Sequence, residues 1–291
     1  MKKVVILGCE NSHADDFLRI ISENKEFSEI EVVGVYSLEP DAMKVLNEKY
    51  GVPLMSSLEE FVGKVDGVII TARDGVYHYP FAKPYIKEGA VMFIDKPITI
   101  TEEEGVAFMK ELISKGVKVT GGSIVKHDEF VQKLKKERLE GTGKKVLGGL
   151  VRAPYQPNSV HSGFYFYAQH LVEMLCEIFG RFPKSVYAHA NGTDITTIFK
   201  YEDYDAVGVF ADNNYEYFAM IHTEKEMISS KVFTPAPKLC SYKEFKDFYD
   251  LLVNNRKGVD YKEFISPVFI MNAIKRSLKS GKEEIIKEIK L

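Results

Sequence analysis

Through the first 125 residues, short apolar runs alternate with stretches whose apolar residues recur at helical spacing. Val4–Leu7 is a strand, and Ser12-x-x-Asp15 ahead of Phe17, Ile20 and Ile21 predicts a helix that Ser12 caps. Glu31–Tyr36 (EVVGVY) is a second strand, Pro40–Tyr50 a helix closed by Gly51 and Pro53, and Leu58–Val62 a short helix. Gly67–Ala72 (GVIITA) is a third strand, Tyr79–Glu88 a helix running up to Gly89, and Val91–Ile94 (VMFI) a fourth strand. Thr101–Lys115 is a helix stopped by Gly116, and Val117–Thr120 leads into Gly121-Gly122. Strands this apolar, separated by amphipathic helices, predict a doubly wound parallel sheet covered on both faces.

After Val125 the texture changes. Thr196–Glu202, Ala206–Ala211, Glu216–Thr223 and Met227–Phe233 are longer and alternating, with Asp212-Asn213-Asn214 as a hairpin turn signal between two of them. Helical spacing returns over 164–179, 242–255 and 261–280. The fold class is therefore α/β: a parallel sheet over residues 1–122, then an α+β domain over 123–291 with a mainly antiparallel open sheet. No Pro/Gly/Ser-rich linker separates them, so the boundary is expected to be tight.

Two domains suit 291 residues, and 45% hydrophobic with 28% charged residues suits a soluble globular chain. A net charge of −3 gives no electrostatic reason to expect nucleic acid or an anionic membrane as partner. Lys133, Lys135, Lys136 and Arg138, matched by Glu137 and Glu140, read as a solvated helix face. Cys9, Cys176 and Cys240 are far apart and form no C-x-x-C, which points to a reducing cytoplasm. The apolar run after Lys2-Lys3 is too short for a signal peptide and is followed by Glu10, Asp15 and Asp16, so it is expected to be a buried strand.

The turn after the first strand reads Gly8-Cys9-Glu10-Asn11-Ser12-His13. A dinucleotide-binding turn has glycine at three of these places, G-x-G-x-x-G; here Glu10 and His13 take the second and third. An anion at position 10 against a pyrophosphate would cost about 4 kcal/mol at 4 Å and an effective dielectric of 20. Glu10 would avoid this by turning to solvent, and the helix N-terminus still offers N–H groups to an anion, with Ser12 and His13 as further donors. Where an acidic residue usually grips the adenosine ribose, Tyr36-Ser37-Leu38 offers Ser37, and no arginine follows to clamp a 2′-phosphate. NAD is thus preferred over NADP.

Residues 66–97 carry a more specific signal. Asp66 on a strand, His78 ending a loop, Gly89 ending a helix and Asp95-Lys96-Pro97 ending the next strand follow at near-fixed spacing, with Gly116 closing the following helix. In this the chain resembles the Gfo/Idh/MocA oxidoreductases, NAD(P)-dependent dehydrogenases acting mostly on sugars, inositols and related polyols. The resemblance covers the first 120 residues well and the remainder in outline. It implies a Rossmann-like first domain whose cofactor would meet Gly8, Glu10, Asn11, Ser12, His13, Ser37, Thr71, Ala72, Arg73, His78, Asp95 and Lys96. It also implies a small polar substrate, and a homodimer or larger homo-oligomer formed over the open sheet.

Lys96 stands where the family's Glu-Lys-Pro lysine stands, and the implied role is to hold the reacting oxygen. His170 matches the helix histidine of a D-x-x-x-H pattern, implying a general acid/base. The family's aspartate is Phe166 here, and Tyr167 and Glu173 are the helix neighbours left to orient the ring. The family's substrate-binding pair after the last parallel strand is replaced by Ser123-Ile124, with Lys126 and His127 beyond. Asn158, His161, Tyr165 and Tyr167 form a polar-aromatic cluster that could line a different pocket.

Glu10, His13 and His78 are metal-ligand types, but nothing fixes them together, and no metal is expected. The alternatives to a dehydrogenase are a relative that binds a small ligand without redox turnover, and a non-redox enzyme reusing the same cleft. The first of these rests on the missing glycines, Phe166 and Ser123-Ile124.

Overall fold

The computed structural model describes residues 1–140, 145–233 and 237–291. The first sheet is parallel, in the order β2-β1-β3-β4-β5. Its strands are β1 (Lys2–Leu7), β2 (Ile30–Tyr36), β3 (Gly67–Ile70), β4 (Val91–Asp95) and β5 (Lys118–Gly122). Between them run α1 (Ser12–Glu23), α2 (Pro40–Tyr50), α3 (His78–Ala82) and α4 (Glu102–Ser114). Every residue of β3 and β4 is buried, which is why these strands read as unbroken apolar runs.

Gly8 shows how tightly β1 must turn. Its φ is +80°, and a Cβ there would stand 2.3 Å from the Ala72 backbone at the end of β3. Three local expectations fail. The Leu58–Val62 helix is a chain of turns with i to i−3 bonds (Val62 N–H to Glu59 O, Lys64 N–H to Phe61 O), closed by Gly63 at φ +78°. The Tyr79–Glu88 helix is shortened to α3 and a single 3-10 turn over Lys83–Tyr85, since Pro84 has no N–H to continue it. Ser12 is the first residue of α1 and not its cap; the N-cap is Asn11, whose side chain makes no cap bond.

After Gly122 the chain crosses to a second sheet through α5 (Glu129–Glu140) and β6 (Val146–Pro154). There follow α6 (Tyr165–Phe179), β7 (Ser185–Asn191), β8 (Asp194–Lys200), β9 (Asp205–Ala211), β10 (Tyr217–Thr223) and β11 (Met227–Val232). The chain ends with α7 (Pro237–Leu252), α8 (Tyr261–Ser280) and β12 (Glu284–Ile285). The sheet order is β11-β10-β6-β9-β8-β7-β12, antiparallel except for the parallel β6–β9 pair. The hairpin expected at Asp212-Asn213-Asn214 does not form, because β6 lies between β9 and β10. Gly149 makes this insertion possible: a Cβ there would meet Met220 O at 2.2 Å and the Phe179 ring at 2.6 Å.

Helices α5, α6 and α8 pack on one face of this sheet, and β8 alternates exposed and buried residues. Helix α7 returns to the parallel sheet. Phe245 and Phe248 are fully buried with Val4, Ile6 and Phe93, and Phe17 packs edge-on to Phe93 at 5.0 Å and tilted against Phe245 at 5.3 Å. Burying each such ring contributes roughly 1.5–3 kcal/mol. Phe264, Ile265 and Val268 of α8 join the same sheet's other core, so one continuous helix, with Ile270 and Ile274 on the second core, spans both. No helix among the described residues is long and apolar enough to cross a membrane.

Replacing Gly8 with Ala should lower stability by roughly 2–5 kcal/mol, from left-handed strain plus the clash with Ala72. Equilibrium denaturation measures this, and a loss below 1 kcal/mol would mean that β1 and β3 do not approach as described.

Candidate active site

Asp95, the last residue of β4, is completely buried and organises the carboxyl edge of the sheet. Its Oδ1 accepts the Lys96 N–H at 2.7 Å, and its Oδ2 accepts the Asn11 side-chain amide at 3.0 Å. His13 Nδ1 lies 2.9 Å from Oδ2, an ion pair more than a directed hydrogen bond. Burial alone would raise Asp95, but His13 and Lys96 beside it hold the carboxyl below its ordinary range. Burial likewise pulls His13 down, and the Asp95 charge more than offsets it, so the imidazole sits above its ordinary value. The third-glycine position is thus filled by an imidazole held against the next strand but one.

The Glu10 carboxylate is half-buried and lies outside the lining of the cavity described below. Oε2 accepts the Ser37 hydroxyl at 2.7 Å, and Oε1 accepts the Arg73 N–H at 2.9 Å. It spans the ends of β2 and β3, with the Arg73 guanidinium donating to the Glu10 carbonyl and lying 3.8 Å from Glu39. Thr71 donates to Gly8 O at 3.1 Å, and Ala72 is buried under Gly8. His78 is fully buried with Nε2 2.8 Å from Ala72 O, and burial holds it below its ordinary pKa. It braces the loop from behind.

A cavity of about 410 Å³ opens above this edge, lined by Asn11, Ser12, His13, Arg73, Lys96, Ile124, Phe166, Tyr167, His170, Tyr217 and Phe233. Lys96 is 5% exposed; its Nζ donates to Phe166 O at 3.3 Å and stands 4.6 Å from the Phe166 ring and 5.3 Å from that of Tyr167. Ring faces and a carbonyl replace the missing aspartate as its neighbours on α6. Burial lowers its pKa, with Asp95 and Glu244 pulling the other way.

His170, one turn further along α6, places Nδ1 2.6 Å from Ser123 Oγ at the end of β5. Burial, with Lys96 nearby, drives its pKa well below the ordinary value, so the ring is neutral. Ser123 Oγ also accepts the Val125 N–H at 3.3 Å. When Nδ1 carries the ring proton and donates it to this oxygen, Nε2 is the acceptor.

Of the other expected residues, Tyr167 lies in the cavity, its ring 5.2 Å from His170. Asn158 is exposed and outside the lining, His161 packs against Phe166 at 5.4 Å, and Tyr165 donates to Asn272 Oδ1 at 3.0 Å. Glu173 does not orient His170: it pairs with Arg181 at 2.7 Å. Glu10, His13 and His78 take different partners, and among the described residues no three metal-ligating side chains gather.

Sequence reasoning missed Ser123 as the His170 partner, and Tyr217 and Phe233, which reach the cavity from the second sheet. It also missed Glu244 on α7, 1% exposed, with neither carboxylate oxygen hydrogen-bonded, and pushed by burial to about 8 despite His13 and Lys126 nearby. Larger depressions of about 510 and 580 Å³ flank His127 and Lys243, away from the ends of β1 and β4.

A parallel sheet in this strand order, a helix starting at the first turn and a cavity at the carboxyl edge define a Rossmann-type nucleotide-binding domain joined to an antiparallel sheet. Residues 2–123 match the model of the Gfo/Idh/MocA oxidoreductase family, with an NAD-binding Rossmann fold. A search of curated protein sequences finds no significant match. The fold as a whole is that of several solved dehydrogenases. Scyllo-inositol dehydrogenase from Lactobacillus casei, with bound NAD(H) and scyllo-inositol, superposes at a TM-score of 0.83 and 14% identity, covering 98% of this chain and 99% of that one. Myo-inositol 2-dehydrogenase from Lactobacillus plantarum gives 0.84 and 14%, covering 98% and 99%. The WlbA dehydrogenase from Chromobacterium violaceum, in complex with NADH and UDP-GlcNAcA, gives 0.79 and 15%, covering 98% and 96%.

The buried groups set a pH profile. His78, His127 and His170 all have lowered pKa values, so stability should rise with pH up to their unfolded value of 6.5. Glu244 and His13, both raised, act in the opposite sense: each contribution is lost as pH rises, through about 8 for Glu244 and from 6.5 upward for His13. Stability should therefore peak near pH 6.5 and fall above it. Glu244→Gln should gain on the wild type by about 1 kcal/mol per pH unit between pH 5 and 8 in denaturant titrations. A constant difference across that range would contradict the burial of an unpaired acid.

Proposed function

We propose that the protein is an NAD(P)-dependent oxidoreductase acting on a hydroxyl or carbonyl carbon of a small polar, sugar- or polyol-like substrate. The observation that carries this reading is the meeting of Lys96 and His170, from different elements, in one cavity beside the start of α1. Residues 1–122 would serve the cofactor and 123–291 the substrate and self-association.

The residues present suit a dinucleotide. The N-cap of α1 makes no side-chain bond to the first-turn N–H groups, and although the Ala14 N–H donates to Asn11 O, those of Ser12 and His13 are left for a diphosphate; Arg73 lines the same cavity. Glu10 is held away by Ser37 and Arg73, which removes the repulsion expected of an anion in this turn. The nicotinamide, when bound, accepts or returns the hydride.

The remaining work falls to the chain's own side chains. Lys96, buried and cationic, would hold the reacting oxygen and stabilise negative charge on it. His170, neutral and fixed through Nδ1 by Ser123, would take the hydroxyl proton at Nε2 in oxidation and return it in reduction. Tyr167 and Tyr217 would bound the substrate. The inositol and nucleotide-sugar ligands of the similar structures support a polyhydroxylated substrate class. A second copy would pack on the outward face of the larger sheet, where Tyr187 and Ile198 are each 37% exposed.

A panel of polyols and sugar acids, followed by nicotinamide absorbance, tests the reading. Lys96→Met and His170→Asn should each lower turnover about 100-fold or more while leaving cofactor affinity within about threefold. Turnover that survives both changes would remove these residues from the chemistry.

A further inference from the structure

The residue at the second-glycine position has a use of its own, an inference that rests on the dinucleotide reading above. Strand β2 ends at Tyr36-Ser37, so a hydroxyl stands where an acidic residue would grip the adenosine ribose. The Glu10 carboxylate lies 2.7 Å from that hydroxyl, over the end of β2, although it comes from the turn after β1. Both oxygens are held, Oε2 by Ser37 and Oε1 by the Arg73 N–H at 2.9 Å, and each keeps a lone pair for a further donor. Ser37 is only 4% exposed and its hydroxyl is committed twice, donating to Glu10 and accepting the Glu39 N–H at 3.0 Å. It serves as a strut for the carboxylate and not as the ribose contact.

We propose that Glu10 is the ribose-gripping acid of this protein, delivered from the β1–α1 turn and propped by Ser37 and Arg73, and that it selects NAD over NADP. Charge supports the selection. Glu10 and Glu39 both stand beside Arg73, whose guanidinium already donates to the Glu10 carbonyl and lies 3.8 Å from Glu39. The local charge is net negative, and a 2′-phosphate would meet two carboxylates with one occupied guanidinium. A ribose 2′-hydroxyl would donate to Glu10.

The test is the dissociation constant of NAD+ and NADP+ for the whole protein and for Glu10→Gln, Glu10→Gly and Ser37→Ala, by calorimetric titration, with unliganded melting temperatures as a check on folding. The wild type should prefer NAD+. Glu10→Gln and Glu10→Gly should weaken NAD+ about 10- to 100-fold, as for a lost charge-assisted hydrogen bond, and narrow or reverse the gap to NADP+. Ser37→Ala should weaken NAD+ in the same direction by a smaller factor. NAD+ bound equally or more tightly by Glu10→Gly would overturn the inference and leave the proposed function standing. No binding of either dinucleotide by the wild type would overturn both.

Discussion

The buried carboxylate of Asp95 is the constraint on which the site depends. It closes β4, receives the backbone of Lys96, and draws Asn11 and His13 of the β1–α1 turn toward itself. An ion buried this completely is costly unless its partners are close, and removing one partner of such a pair costs roughly 3–5 kcal/mol. His13 therefore does for this turn what a glycine does elsewhere by a different route. A glycine lets helix and strand approach; His13 fixes the helix start to β4 by charge. Lys96 inherits its position from the same carboxylate, so the turn and the lysine are set by one residue.

The second domain supplies the complementary half by similar exchanges. Helix α6 carries Phe166 where the sequence resemblance led us to expect an acid, and Lys96 meets aromatic faces and a backbone carbonyl there. His170 is hydrogen-bonded from outside its own helix, by Ser123 just after β5. Helix α8 spans both hydrophobic cores, so these contacts lie between bodies joined by a continuous element. Lys96 and His170 thus each keep close partners although Phe166 carries no charge.

How much of this was legible in the sequence depends on distance along the chain. The parallel sheet was readable because each strand is buried on both faces and stands out as an apolar run. The 66–97 block was readable because its spacing is fixed by consecutive elements. In the second domain the lack of side chains at Gly148-Gly149 is what lets β6 fit between β9 and β10, so the turn signal at Asp212-Asn213-Asn214 joins strands that are not neighbours. The partners of Glu10 at positions 37 and 73, of His13 at 95 and of His170 at 123 are contacts made by topology. No local pattern marks them. Glu244 was invisible for the same reason: an acid on an amphipathic helix reads as surface until the helix is seen to return over the first sheet.

On the proposed function, one cavity organised by Asp95 would receive a dinucleotide at the start of α1 and bring its reactive end between Lys96 and His170. A crystal structure of the protein soaked with NAD+ tests it most directly. The account predicts the diphosphate on the N–H groups of Ser12 and His13, the nicotinamide in the cavity beside Lys96, and the Asp95 contacts to Asn11 and His13 unchanged. A dinucleotide bound elsewhere, or a β1–α1 turn that must release Asp95 to admit it, would contradict the account.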